Sequence, residues 1–241
     1  MKVEIFDYKP KIDDQFTHSY LVSNVEDLVE KHRQNNHVAF VSIANSLLFM
    51  DGGSDKGYMN AIPEIQKKVQ SKLPYRNLKT FNGTGRPYLP IGIAQMILPE
   101  GTYKFISSPS MFLPQKVTNT KNPYHTLRVA LYLVNQFNLW CQKHNKTDHL
   151  IETVYTPFIA TGWGGISYEK SYQLMIQAIK ESELESKKNL IENPNYLFDI
   201  TKNEAFYGVC RNLKKITAEQ PKIYMNTEFG ISVEEVLNNK E

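Results

Sequence analysis

One stretch of the 241-residue chain constrains its fold more than any other: the apolar run at 37–44 and the loop of small and acidic residues after it. The run has an almost unbroken apolar row, formed by Val38, Phe40, Val41 and Ile43. Such a row is typical of a strand buried on both faces of a parallel sheet. Ligands bind at the carboxyl edge of such sheets, where the free N–H groups of helix amino termini attract anions. We therefore predict an α/β fold with a ligand site that begins near Asn45.

The loop after this strand has a composition suited to close contact with a ligand. Gly52, Gly53 and Gly57 let the backbone approach a ligand, because they carry no side chain that would intervene. Asp51 and Asp55 add two carboxylates to the same stretch. The loop therefore offers backbone donors and acidic groups together.

A second glycine-rich stretch, Thr161–Ile166 (TGWGGI), follows the predicted strand at 150–160. Ser167 is a candidate cap for the helix that comes next. Glycines between a strand and a helix build a nest of backbone N–H groups suited to a pyrophosphate. We predict that this loop and the loop at 45–57 face one ligand.

Hydrophobic periodicity predicts the remaining elements. Strands are expected at 3–8, 16–22, 37–44, 91–98, 104–108 and 150–160, and helices at 25–34, 58–73, 123–144 and 167–185. Asn24 or Ser23 is expected to cap the first helix, and Pro63 to lie in the first turn of the second. The turn-rich stretch at 82–90 is expected to be a plain loop.

Composition sets wider limits. With 41% hydrophobic and 22% charged residues, the chain can bury one core, and a net charge of +3 gives no sign of nucleic-acid binding. Cys141 and Cys210 form no CxxC motif, the six histidines have no metal-ligand spacing, and we expect neither a metal site nor a cofactor. No apolar stretch reaches the length of a membrane span, and no secretory signal is evident. We expect a soluble, intracellular protein.

The stretch SIANSLLFMDGGSDKGY resembles the signature loop of macro domains, usually NAAN followed by a glycine run and Val-Asp-Gly. It is most similar to the macro-like branch with the form PANSFGFMDGGID. The stretch SPSM at 108–111 resembles that family's APTM, and TGWGG resembles its phosphate loop. The resemblance covers about residues 20–185. It implies a three-layer α/β/α domain with a mixed central sheet.

The resemblance also implies a ligand and roles for single residues. The ligand is ADP-ribose or a related NAD-derived nucleotide. Asn45 corresponds to the asparagine that holds the distal ribose, and Asp55 to the aspartate that orients or activates water. A carboxylate beside a developing oxocarbenium ion supplies charge stabilisation and a base. The other implied ligand contacts are Asn24, Ala44, Asp51, Gly52, Gly53, Ser54, Gly57, Thr161, Gly162, Trp163, Gly164, Gly165 and Ile166. The alternative for Asp55 is a helix-capping residue.

Three positions depart from the family pattern. Ser42 stands where the first asparagine of NAAN usually stands, and Met50 and Asp51 occupy the start of the glycine run. Asp51 adds a second carboxylate or repels anions from the distal end. Trp163 is positioned to cover the distal ribose.

Two functions of different classes follow. The first is hydrolysis at the distal ribose of an ADP-ribose derivative: a 1″-phosphate, an acetyl ester or an ADP-ribosylated acceptor, including a macromolecule. The second is a non-catalytic reader or scavenger of ADP-ribose, suggested by the altered glycine run. A Rossmann oxidoreductase is disfavoured, because no GxGxxG follows the first strand.

The last part of the chain lies beyond the resemblance. We expect one domain over 1–241, with 186–241 as an extension packed on the core. The aromatic residues Tyr196, Phe198, Phe206 and Tyr207 favour packing over a free tail.

Overall fold

The computed structural model describes residues 1–8, 20–72, 89, 91–99 and 102–186. Within these ranges there are six strands: β1 (Lys2–Asp7), β2 (Tyr20–Val22), β3 (Val38–Ser42), β4 (Gln95–Ile97), β5 (Lys104–Ser107) and β6 (Thr153–Pro157). The same described residues form five α-helices: α1 (Val25–Lys31), α2 (Gly53–Ala61), α3 (Ile65–Gln70), α4 (Asn122–Lys143) and α5 (Tyr168–Ser186). A short 3-10 helix, Thr147–His149, precedes β6.

The strands form one mixed sheet in the order β2-β1-β6-β3-β5-β4. Every neighbouring pair is parallel except β4 and β5, which are antiparallel. The prediction for β3 is confirmed, since all five of its residues are buried. Because β1, β6, β3 and β5 run in one direction, the segments that leave them meet at one edge of the sheet.

Two apolar clusters cover the two faces of this sheet. Val38, Phe40 and Phe105 pack with α1, α2 and α3 on one face. Ala39, Val41 and Ile106 pack with α4 and α5 on the other. The alternation of neighbouring residues between the clusters is the period of two that a strand imposes. The predicted three-layer α/β/α fold is confirmed.

The helix predicted at 58–73 was wrong in its start and in its continuity. Helix α2 begins at Gly53, inside the stretch that we expected to be a loop, and α3 begins only at Ile65. Pro63 lies in the break between them rather than in a first turn, and Glu64 has a left-handed backbone (φ 59°). A proline inside a helix removes a hydrogen bond and clashes with the preceding turn, so the chain breaks here.

The other helices follow the predicted periodicity closely. Helix α4 spans almost the predicted range, and its stripe residues Leu127, Leu131, Val134 and Cys141 are fully buried. Ser167 caps α5 as expected, with its hydroxyl oxygen accepting the Lys170 N–H at 3.2 Å. Helix α1 ends three residues earlier than predicted, at Lys31.

Three predictions lie wholly or partly outside the described residues. These concern the first part of the strand at 16–22, almost all of the loop at 82–90, and the extension at 186–241. Within the described part of the chain, no helix is both long and apolar enough to cross a membrane.

Candidate functional site

A cleft of about 560 Å³ opens at the carboxyl edge of the sheet. Its walls come from the ends of β1, β3 and β6, the start of α1, the first turns of α2 and the segment after β5. This is the edge at which the sequence predicted a site. The strand order brings the loop at 45–57 and the loop at 160–163 to one cavity, because β3 and β6 are neighbours.

Most of the predicted site residues line this cleft. Those that do are Asn24, Ala44, Asn45, Asp51, Gly52, Gly53, Ser54, Asp55, Gly57, Thr161, Gly162 and Trp163. The structure places Gly164, Gly165 and Ile166 outside the cleft wall. The Ile166 N–H donates to the Ala160 carbonyl at 3.1 Å, and the Gly165 N–H donates to the Gly162 carbonyl at 3.0 Å. The second half of this loop therefore folds back on itself.

The first half of the same loop keeps its donors available. The N–H groups of Thr161, Gly162 and Trp163 make no hydrogen bond within the residues that the structure describes. Gly52, the residue before α2, likewise contributes no side-chain cap to that helix. Backbone N–H groups from two elements therefore border the same cleft, an arrangement suited to an anion.

Asn45 follows β3 and is held by its own side chain. Its Oδ1 accepts the Leu47 N–H at 3.0 Å, and its backbone forms an isolated bridge with Met111. The side-chain amide nitrogen makes no hydrogen bond to any described residue. Asn45 can therefore donate two hydrogen bonds into the cleft from a fixed position.

Asp55 lies in the first turn of α2 and is only 7% exposed. Its Oδ1 accepts the Ser42 hydroxyl at 2.6 Å, and its carboxyl also accepts the Ile43 N–H. The pKa of Asp55 is raised from 3.8 to about 7. Burial is the main cause and outweighs the two hydrogen bonds, which lower the pKa, while the charge of Asp51 adds a smaller upward contribution. At neutral pH this carboxyl can therefore both accept and release a proton.

Two other predicted residues have structural duties within the fold. The Asn24 Oδ1 accepts the Asp27 N–H at 2.7 Å, and its Nδ2 donates to the Asp27 carboxylate at 2.8 Å. A Cβ on Gly57 would lie 2.7 Å from the Cβ of Val25, so this glycine allows α1 and α2 to pack closely. Both residues line the cleft, but Asn24 also caps α1 and Gly57 also lets α1 and α2 pack closely.

Several residues of the site were missed by the sequence reasoning. Asp7 is the last residue of β1, Tyr8 follows it, Glu26 lies at the start of α1, and all three line the cleft. In parallel sheets, ligand-binding residues lie at the carboxyl ends of the strands. Applying this rule to β1 as well as to β3 would have identified Asp7 and Tyr8. Tyr8 (66% exposed) and Trp163 (47% exposed) stand as exposed aromatic side chains on the cleft wall.

The cleft carries more acidic than basic side chains. Asp7, Glu26, Asp51 and Asp55 line it, with Lys56 as its one lysine among the described residues. An anionic ligand would therefore be held chiefly by backbone N–H groups rather than by side-chain cations.

The fold and the cleft define the class of protein: a three-layer α/β/α domain with a cleft at the carboxyl edge of a mixed sheet. No family model matches the sequence, and no curated protein matches it. Among solved structures, the chain is similar to the macrodomain of Mycobacterium tuberculosis DarG, with 16% identity and a TM-score of 0.44 over 59% of this chain and 81% of that one.

The chain is also similar to the Oceanobacillus iheyensis macrodomain. The structure of that protein with ADP gives 18% identity and a TM-score of 0.42 over 76% of this chain and 88% of that one. The structure with MES bound gives 19% identity and a TM-score of 0.42 over 76% and 84%. Macrodomains are thus among the solved structures that this chain is similar to.

Proposed function

We propose that this protein binds ADP-ribose or a related NAD-derived nucleotide in the cleft and hydrolyses an ADP-ribose derivative at the distal ribose. One observation carries the proposal: Asn45, Asp55 and the loop at 160–163 line the same cleft. The unused N–H groups at Thr161–Trp163 and the uncapped start of α2 suit a pyrophosphate. Asn45 and Asp55 then lie at the β3 end, where a distal ribose would follow.

The chemistry assigned to this end needs a hydrogen-bond donor and a proton acceptor. The Asn45 amide nitrogen would hold a ribose hydroxyl and fix the sugar ring. As the bond from the ribose to the leaving group breaks, the Asp55 carboxylate would take a proton from the attacking water. It would also stabilise the positive charge that develops on the ring. Burial keeps the pKa of Asp55 at about 7, so the ionised fraction, and with it the rate, would rise as pH increases through 7.

A second function is favoured by a specific observation. The Asp55 carboxyl already accepts hydrogen bonds from Ser42 and from the Ile43 N–H, both within the fold. A carboxyl that serves only to anchor α2 to β3 would leave a protein that binds ADP-ribose without turning it over. This reader function predicts binding of ADP-ribose with no release of product from any derivative.

The first experiment is calorimetric titration with ADP-ribose, using AMP and NAD as comparators. The blocking variant is Gly162→Leu, because a Cβ at Gly162 meets no atom of a described residue within 4 Å and Gly162 lines the cleft. We expect ADP-ribose to bind more tightly than either comparator and the variant to lose at least about tenfold in affinity. Lys170→Leu, which introduces the same side chain at an exposed position in α5, is the control. Equal affinity of wild type and Gly162→Leu would place the ligand elsewhere.

Turnover separates the two functions. The three derivatives are an ADP-ribose 1″-phosphate, an acetyl ester and an ADP-ribosylated peptide. We expect release of ADP-ribose from one of them by the wild type, and retained binding with lost turnover in Asp55→Asn. Unchanged turnover in that variant would remove Asp55 from the mechanism, and binding without any turnover would establish the reader.

A further inference from the structure

The last residues of β3 and β5 place two buried hydroxyl groups side by side. Ser42 and Ser107 are register partners in the parallel pair of these strands, and each is 1% exposed. Two residues earlier, the register partners Phe40 and Phe105 both pack on the face covered by α2. Side chains two residues apart share a face, so both serine side chains also project towards α2.

Within the described part of the chain, only one of these two hydroxyl groups has a hydrogen-bond partner. The Ser42 Oγ donates to the Asp55 Oδ1 at 2.6 Å. The Ser107 Oγ makes no hydrogen bond to any residue in the described part of the chain. A buried hydroxyl without a partner costs stability, so such a group in a folded protein calls for an explanation. Neighbouring strands lie about 4.8 Å apart, so a rotamer change in Ser107 brings its hydroxyl towards that of Ser42.

We propose that Ser107 and Ser42 form a reversible chain of hydroxyl groups that ends at the Asp55 carboxyl and keeps it hydrogen-bonded in both of its ionisation states. A hydroxyl is both donor and acceptor. When Asp55 is ionised, Ser107 donates to Ser42 and Ser42 donates to the carboxylate. When Asp55 is protonated, it donates to the Ser42 oxygen, and Ser42 turns to donate to Ser107.

The proton balance of this chain is simple. The two serines keep their own protons throughout and only rotate. The one proton exchanged is the proton that Asp55 gains from, or returns to, water or a ligand. Ser42 and Ser107 are therefore positioning residues, and their use in catalysis rests on the proposed function.

Other charged and titratable groups near Asp55 do not take this role. Tyr58 lies on the same helix, and its hydroxyl donates to the Val41 carbonyl at 3.3 Å. Asp51, from the preceding loop, acts on Asp55 through its charge. Glu26 of α1 approaches Gly57 and accepts from Asn60 at 3.2 Å, while Lys56 is exposed. The serine pair therefore offers Asp55 a partner that can reverse its hydrogen bond.

The test is a pH titration of the Asp55 carboxyl carbon by NMR in the full chain, with no ligand present. Ser42→Ala removes a hydrogen bond to the carboxylate, so we expect the titration midpoint to rise by about one pH unit. Ser107→Ala is expected to lower the midpoint by a smaller amount, because the Ser42 hydroxyl then has no acceptor when Asp55 is protonated but still donates to the carboxylate when Asp55 is ionised. Ser42→Thr, which restores a hydroxyl, should return the midpoint towards the wild-type value.

Ser108→Ala is the matched control. Ser108 is the next residue along the chain and is equally buried, but its hydroxyl donates to the Thr126 carbonyl of α4 at 2.8 Å, on the other face of the sheet. A midpoint in Ser107→Ala equal to those of wild type and Ser108→Ala would overturn the proposal. Should Ser42→Ala fail to fold, the comparison of Ser107→Ala with Ser108→Ala still decides. Because no nucleotide is used, the result is independent of whether the protein binds ADP-ribose.

Discussion

Gly57 of α2 lies directly against Val25 of α1, and a Cβ added at Gly57 would come 2.7 Å from the Cβ of Val25. Both atoms belong to helix segments on the same face of the sheet, so neither can move away without shifting a helix. The glycine that looks like part of a ligand loop in the sequence is therefore also a packing contact between two helices.

This contact predicts a loss of stability in Gly57→Ala. We expect the free energy of unfolding to fall by about 1–3 kcal/mol, because the added methyl group overpacks the interface between α1 and α2. Urea unfolding monitored by circular dichroism measures the change. Gly52→Ala is the control, since a Cβ at Gly52 meets no atom within 4 Å among the residues that the structure describes. Equal losses in the two variants would contradict the packing role.

Because of Asp55, we predict that the free energy of unfolding decreases as the pH rises. Its folded pKa is raised from 3.8 to about 7, chiefly by burial, so the unfolded chain ionises first. Between pH 4 and 7 the folded state holds a proton on Asp55 that the unfolded chain has already released. The free energy of unfolding therefore falls as the pH rises through this range and levels off above about 7. For this fully buried group the effect is on the order of 4 kcal/mol.

Urea unfolding at several pH values between 4 and 8 measures this dependence. Asp55→Asn should flatten it, because the residue then carries no titrating group. Asp148→Asn, at a side chain 73% exposed, is expected to leave the slope as in wild type. A slope in Asp55→Asn as steep as that of wild type would assign the dependence to other groups.

We predict that replacing Asn24 lowers the stability of the fold without changing the affinity for ADP-ribose. Its side chain accepts the Asp27 N–H and so caps α1, and Asn24→Ala should lower the free energy of unfolding by about 1 kcal/mol. The affinity for ADP-ribose should stay unchanged, because both ends of the side chain are engaged with Asp27. Thermal unfolding and calorimetry on one preparation measure both quantities. Ser23→Ala, one residue earlier, serves as the control, and a loss of affinity with intact stability in Asn24→Ala would make Asn24 a ligand residue.

We predict that the contact between Glu181 of α5 and the buried Arg128 of α4 stabilises the packing of these two helices. Its carboxylate accepts the Tyr124 hydroxyl at 2.5 Å and lies 3.7 Å from the Nε of Arg128, whose side chain is 1% exposed. Glu181→Gln removes the negative charge beside this guanidinium. We expect a loss of about 1–2 kcal/mol, moderated because the Glu181 side chain is 38% exposed.

The comparison variant for this prediction is Glu169→Gln, an exposed glutamate in the first turn of the same helix. Chemical denaturation of both variants at pH 7 gives the two differences in unfolding free energy. An equal, small effect in both would mean that the network around Arg128 does not depend on the Glu181 charge.

Much of the fold follows from patterns within single segments. The apolar row of β3, the stripe of α4 and the Ser167 cap of α5 all depend on residues a few positions apart, and each prediction is confirmed. The location of a cleft at the carboxyl edge follows from the direction of the parallel strands. Pro63 also signalled the break between α2 and α3. The spacing of apolar residues at 58–73 nevertheless led to the prediction of one continuous helix.

What the sequence by itself determined is therefore the set of strands and helices, and the two loops that meet at the cleft, because these depend on periodicity, caps and chain direction. The tertiary structure alone decided which polar groups of those loops are used inside the fold. Ser42 meets Asp55, Gly57 meets Val25, and Ser107 lies beside Ser42 through contacts between separate elements. Such contacts depend on how helices and strands pack in space, which no spacing along the chain encodes.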